Sequence, residues 1–216
     1  MRDLILIGGG GHCNSLIDSI RELQDYNIIG IIDVADNVGK WTNGIEIIGT
    51  DDELAGYYAK GITYACITVG SVGSPDLRQK LYHKARQIGF EFPSFIDRTA
   101  TISRNVVIGE GVYVGKGAII NAGAIVGAHS IVNTGAIIEH DCTVGAFCHI
   151  APGSVLSGQV VIGDRTHIGV NSTVIQQIDI GHDVMIGAGS VVVRDIGSNA
   201  KAYGNPCREV ERYEDE

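Results

Sequence analysis

Beyond Phe95 the apolar positions of the chain recur with a period of six. Aliphatic residues stand at Ile96, Ile102, Ile108, Val114, Ile120, Val126, Val132, Ile138, Val144, Ile150, Leu156, Ile162, Ile168, Val174, Ile180, Ile186 and Val192, seventeen matches in seventeen places with no inserted residue. An amphipathic helix repeats at 3.6 residues and a strand at 2, with hairpin loops of varying length between strands, so neither produces this register. It predicts a triangular solenoid. Three short strands joined by corners make one coil of eighteen residues, each hexad aliphatic points inward, and the coils stack in parallel at about 4.8 Å. Residues two before these positions are small or β-branched (Ala124, Ser130, Ala136, Cys142, Ser154, Thr166, Ser172, Ser190). Those just after are often glycine (Gly109, Gly115, Gly127, Gly145, Gly163, Gly169, Gly181, Gly187). Both sets are expected to fit tight corners. Only Tyr113 and Phe147 are aromatic within the repeat, as a narrow interior requires.

The preceding residues follow a different rule. From Asp3 to about Phe95, short aliphatic runs alternate with amphipathic segments, the pattern of an α/β unit around a parallel sheet. Strands are predicted at Leu4 to Ile7, Ile28 to Ile32 and Tyr64 to Val69. Helices are predicted at Cys13 to Leu23, Asp51 to Tyr58 and Pro75 to Ile88, the last capped by Ser74. The chain therefore divides into an α/β domain over 1–95 and a solenoid over 96–216. The first is too small for a full dinucleotide-binding domain and matches half of one.

Charge narrows the partners. A formal net charge of -9 without clustered Lys or Arg argues against nucleic acid or an anionic membrane, both of which need a basic face. No apolar run approaches the ~20 residues of a spanning helix, and the apolar start is too short for a signal peptide. The cytoplasm is the expected location. The five cysteines, Cys13, Cys66, Cys142, Cys148 and Cys207, are odd in number and lack a C-x-x-C pair, so reduced buried thiols are expected.

Candidate chemistry lies at two places. Gly8 to Gly11 follow the first strand and precede a helix, where bare backbone and the helix N-terminus suit a phosphate. The dinucleotide fingerprint G-x-G-x-x-G is broken, because Gly8 and Gly10 are followed by Cys13, and Gly9 and Gly11 by Asn14, which disfavours NAD. Asp33, after the second strand, is placed to bond a ribose hydroxyl or a base edge. In the solenoid, His140 falls two residues after inward-facing Ile138, at a corner where no other hexad from Ile102 to Val174 has a histidine. It is expected to be exposed or at a subunit contact. An imidazole there can act as a general base, with an adjacent carboxylate fixing its tautomer. Both Glu139 and Asp141 are adjacent, and spacing does not choose between them. His149 and His167 each precede an inward residue and lie eighteen apart, so they should stack on one outward face, a column able to line a groove. His129 and His182 read as surface residues. The H-x-x-x-x-H spacing of a zinc site on such a fold is absent, and no metal is expected.

The hexads, together with the opening L-I-L-I-G-G-G-G-H, Asp33, the I-I-E-H-D-C stretch and the closing G-N-P-C-R at Gly204 to Arg208, resemble the left-handed β-helix acyltransferases. Within them the whole chain is similar to the branch of bacillosamine and perosamine N-acetyltransferases and sialic-acid O-acetyltransferases. The resemblance implies a left-handed parallel β-helix, a homotrimer, acetyl-CoA as cosubstrate and a nucleotide-linked amino sugar as acceptor. It implies that Gly10, Gly11, His12, Asp33 and Gly70 hold the nucleotide, and that His149, Val170 and Ala188 contact acetyl-CoA. It makes His140 the general base, with Asp141 matching the acid that follows it. The family's acidic pair after the second strand is here Asp33-Val34, which leaves the second contact unfilled. The bacillosamine enzymes carry Glu after the histidine, so Asp141 leans toward a perosamine-like enzyme. Two other functions stay open at this point: O-acetylation of sialic acid, and a non-catalytic β-helix scaffold or ligand sensor.

Overall fold

The structure is a computed structural model. It describes residues 1–212, and the side chain of residue 212 and the tail residues 213–216 of the second domain lie outside the described residues. Two compact units are present. One comprises Met1–Ser71 and Asp76–Arg98, and the other Val72–Pro75 and the chain from Thr99 onward.

The first unit is built on β1 (Arg2–Ile7), α1 (Gly11–Leu23), β2 (Tyr26–Ile32), β3 (Trp41–Thr42), β4 (Ile45–Gly49), α2 (Leu54–Ala59), β5 (Tyr64–Ile67) and α3 (Asp76–Ile88). The sheet order is β3-β4-β2-β1-β5. All neighbours are parallel except β3 and β4. The central strands read as unbroken aliphatic runs because both faces are covered: Ile5, Ile7, Ile32, Leu54, Ala65, Ala85 and Phe90 form one fully buried cluster. The segment expected to be one helix from Asp51 begins instead as a 3-10 turn, Asp51–Glu53, held by a capping box between Thr50 and Glu53. The β3–β4 hairpin was not among the predicted elements. Asn43 and Gly44 carry its turn with φ of 45° and 72°, the left-handed pair that matches the twist of two antiparallel strands. Strand β5 stops at Ile67, short of the predicted Val69, and buried Arg78 of α3 donates to the carbonyls of Ile67 and Val69.

The second unit is the predicted solenoid. Two-residue strands stack into three parallel ladders with an eighteen-residue step, as in Ile119, Ile137 and Val155 on the first face, Ile125, Thr143 and Val161 on the second, and Ile131, His149 and His167 on the third. A hairpin of Ala200–Gly204 and Cys207–Arg212 adds to the third face. From Val114 to Val192 every hexad aliphatic is buried. Each such side chain contributes about 1.5–3 kcal/mol of burial.

The small residues two positions earlier do not mark corners. Ala124, Ser130, Ala136, Cys142, Ser154, Thr166, Ser172 and Ser190 are buried inside the prism, because residues i and i−2 of a strand face the same side. Their buried hydroxyls need acceptors, and Ser130, Ser154, Thr166 and Ser172 donate to the carbonyls of Gly145, Gly169, Gly181 and Gly187, each fifteen residues on, at 2.7–2.9 Å. The true corners are the second and third residues after each inward position. From Gly111 to Gly189 the third takes a left-handed φ, as in Asp141 at 58°, where Asn and Asp are the most tolerant after glycine.

Candidate active site

In the first unit the glycine turn, the end of β2 and the end of β5 enclose a cavity of about 340 Å³. Its lining includes Gly8, Gly9, Gly10, Asp33, Asp51 and Gly70 with the apolar Val69, Leu77 and Leu81. Of the four glycines, Gly8 is demanded by the fold. Its φ is +109°, and a Cβ there would come within 2.3 Å of Val69. Gly10 and Gly11 face open space, with nothing within 4 Å of an added Cβ. Gly10 is the N-cap of the thirteen-residue α1, and no side chain caps it, so backbone donors at the helix start face outward. His12 follows on the helix with its Cβ against Gly70, but it is not part of the cavity lining.

Asp33 is bonded within the domain. Its carboxylate accepts from the backbone N–H of Gly9, from the N–H of Val34 at 2.6 Å and from Asn37 Nδ2 at 3.1 Å. It fixes the glycine turn from the neighbouring strand.

In the second unit, His140 and Asp141 occupy the two corner positions between the first and second faces. His140 Nδ1 lies 2.9 Å from Asp141 Oδ2, and the side chains are 57% and 59% exposed, as expected for a corner. When Nδ1–H donates to the carboxylate, Nε2 carries the lone pair. Asp141, not Glu139, makes this contact: Glu139 is half-buried on the strand side of the corner, where its backbone N–H bonds to Leu156 O at 2.9 Å. No thiol competes as a nucleophile. All five cysteines are buried, and burial pushes Cys13 up to about 11 and Cys66 and Cys148 up to about 12, so they stay protonated and unreactive.

The remaining histidines divide. His149 and His167 stack in register with ring centroids 4.9 Å apart, as predicted. Their exposures are 8% and 7%, and His149 Nε2 meets Asn133 at 3.1 Å. His129, expected at the surface, is 2% exposed. Its ring lies flat on Phe147 of the next coil at 5.0 Å, a contact that covers it. His182 is exposed as expected, yet its Nδ1 lies 2.7 Å from Asp183. That pair differs from His140–Asp141, because Arg165 of the coil below forks onto Asp183 and, by those bonds, holds its carboxyl below the usual range. It is an ion-pair clamp between coils. Val170 and Ala188 are exposed at one corner column, between the third and first faces, on a different prism edge from His140.

Among the described residues, no group of three or more His, Cys, Asp or Glu is arranged to hold a metal, and no helix is long and apolar enough to cross a membrane.

Comparison with known proteins fits this geometry. The family described as PglD N-terminal domain matches residues 3–85, the GMPPB C-terminal domain family matches 81–176, and the hexapeptide repeat of succinyl-transferase matches 159–194. Among solved structures, PerB from Caulobacter crescentus, in complex with CoA and GDP-perosamine, is 38% identical over 98% of both chains, with a TM-score of 0.90. The acetyltransferase domain of PglB from Neisseria gonorrhoeae FA1090, in complex with acetyl coenzyme A, is 33% identical over 97% of this chain and 99% of that one, with a TM-score of 0.87. Comparison with curated protein sequences gave no match. The fold is that of an α/β domain followed by a left-handed parallel β-helix of hexapeptide repeats. The chain belongs to the family of hexapeptide-repeat sugar N-acetyltransferases that includes PerB and the PglB acetyltransferase domain.

Proposed function

We propose that this protein transfers the acetyl group of acetyl-CoA to the amine of a nucleotide-linked amino-deoxy sugar, with His140 as general base and Asp141 as its partner. The observation that carries the reading is the exposed His140–Asp141 pair, bonded at 2.9 Å through Nδ1, at a position that the fold itself does not need. The neutral amine attacks the thioester carbon, and Nε2 of His140 takes the amine proton as the C–N bond forms. The carboxylate of Asp141 holds the tautomer and stabilises the imidazolium. Collapse of the tetrahedral intermediate breaks the C–S bond, and the His140 imidazolium returns its proton to the departing thiolate, giving the amide, CoA and a neutral imidazole.

The nucleotide is assigned to the cavity of the first unit, with its phosphates at Gly10, Gly11 and His12 and its nucleoside toward Asp33 and Gly70. Open space above Gly10 and Gly11 supports this. Acetyl-CoA is assigned to Val170 and Ala188 at one corner column, with His149 on the adjoining face. These residues and His140 stand on different edges of one prism, which supports a homotrimer whose sites lie between neighbouring subunits. The charge of -9 and small polar substrates suit a cytoplasmic enzyme.

The test is thiol release from acetyl-CoA against a panel of UDP- and GDP-linked amino sugars and free sialic acid. Turnover of an amino-sugar nucleotide is expected. Turnover of sialic acid alone would make the protein an O-acetyltransferase, and no turnover with no acetyl-CoA binding would leave a scaffold.

A further inference from the structure

The first corner position, two residues after each inward aliphatic, is occupied in the seventeen hexads by Arg98, Arg104, Glu110, Lys116, Ala122, Ala128, Thr134, His140, Ala146, Pro152, Gly158, Asp164, Val170, Gln176, His182, Ala188 and Arg194. One of these is glycine. Gly158 lies eighteen residues after His140, so coil stacking sets it directly over the imidazole, and the ladder bond from Gln159 N to His140 O at 2.9 Å fixes that register.

Nothing in the backbone asks for glycine there. Gly158 is not among the residues with left-handed φ, and four other first-corner positions carry alanine. What a side chain would meet is His140. A Cβ on Gly158 would stand 2.5 Å from Nε2, 2.7 Å from Cε1 and 3.2 Å from Cδ2, and its three nearest atoms all belong to that ring. Contacts under 3 Å are not tolerated between carbon and a ring, and an exposed imidazole relieves them by rotating away. Rotation would carry Nδ1 off Asp141. Gly158 is itself buried, which is what a bare α-carbon covered by an imidazole gives.

We infer that Gly158 is a positioning residue for the proposed reaction: the missing side chain is the seat on which the His140 imidazole lies while Asp141 holds its other nitrogen. This inference rests on His140 being the base. It needs no contact between Gly158 and substrate.

The experiment is a double-mutant cycle between Gly158→Ala and His140→Ala, read by steady-state kinetics with acetyl-CoA and the accepted sugar nucleotide. Gly158→Ala should lower kcat by roughly 10²-fold, the low end of what positioned proton transfer contributes. Each KM should stay within about twofold and the melting temperature should be unchanged, since alanine is already accommodated at equivalent corners. In the His140→Ala background the same substitution should change kcat by less than about twofold, because no imidazole is left to displace. Near wild-type kcat in Gly158→Ala would overturn the inference, and so would a full additional loss in the His140→Ala background. Near wild-type activity in His140→Ala alone would remove the base, and the inference with it, which separates that failure from the other two.

Discussion

Replacing Asp33 by alanine removes the acceptor of three hydrogen bonds, from Gly9 N–H, Val34 N–H and Asn37 Nδ2. The three donors do not lose equally. Val34 is exposed, and its N–H finds water. Asn37 is a side-chain amide on a surface turn and can turn to solvent. Gly9 is half-buried in the turn that shapes the cavity, and a bond to a charged acceptor is worth about 1.5–3 kcal/mol. A loss of about 2 kcal/mol in the bonded geometry of the turn corresponds to roughly a 30-fold rise in KM for the sugar nucleotide. The KM for acetyl-CoA, assigned to the β-helix, should move by less than about twofold. Asp33→Asn should fall between, since an amide oxygen still accepts from Gly9. The assay is steady-state kinetics with each substrate varied in turn, together with a urea melt to check folding. An equal rise in both KM values, or no rise for the sugar nucleotide, would refute the assignment of Asp33 to the nucleotide cavity.

Three further outcomes follow from the geometry. Leu156 is fully buried in the prism, so Leu156→Ala should destabilise by about 2–5 kcal/mol in urea unfolding, and a loss under about 1 kcal/mol would contradict the inward assignment. Burial raises the Cys66 and Cys148 thiols from 9.0 to about 12, so above pH 9 the folded state binds more protons than the unfolded one. Their contribution is whole below pH 9 and declines by up to roughly 1.4 kcal/mol per pH unit per thiol as the pH rises toward 12. Urea midpoints across that range should fall less steeply in Cys148→Ala, and an unchanged slope counts against the buried thiol. Asp141→Asn should lower kcat by less than His140→Ala does, since it loosens and weakens the base without removing it, whereas Glu139→Gln should leave kcat near wild type. The reverse order in kcat would assign the pairing to Glu139.

The β-helix was legible in the sequence because its period is strict and its inward residues carry no chemistry beyond size. Ile120, Ile138 and Leu156 could be read from spacing alone. The neighbouring small residues were read as corner fillers because the dominant period of six hid the period of two within each strand, and that shorter period turns Ser154 and Ser172 inward. Asn43-Gly44 is a hairpin signal that went unread because the flanking strands are short. His129 shows a different limit. A polar residue at a corner is exposed by default, but the neighbouring coils cover this one, with Phe147 eighteen residues on stacked against its ring and Glu110 and Gly111 of the preceding coil close to it. The internal bonds of Asp33 were not legible, since whether a carboxylate meets a ligand or a backbone N–H depends here on a turn twenty-four residues away. The His140–Asp141 contact could not be resolved from sequence, because Glu139 and Asp141 are both adjacent to His140 and the choice depends on the corner geometry, in which Asp141 takes a left-handed φ and meets Nδ1.

Whether His140 is the base of an acetyl transfer is read from kcat of His140→Ala in the thiol-release assay with the accepted sugar nucleotide. It should fall by roughly 10²- to 10⁴-fold, the usual contribution of positioned proton transfer, with acetyl-CoA affinity and melting temperature little changed because the exposed ring fills no part of the core. Activity near wild type in a folded His140→Ala protein would contradict that role.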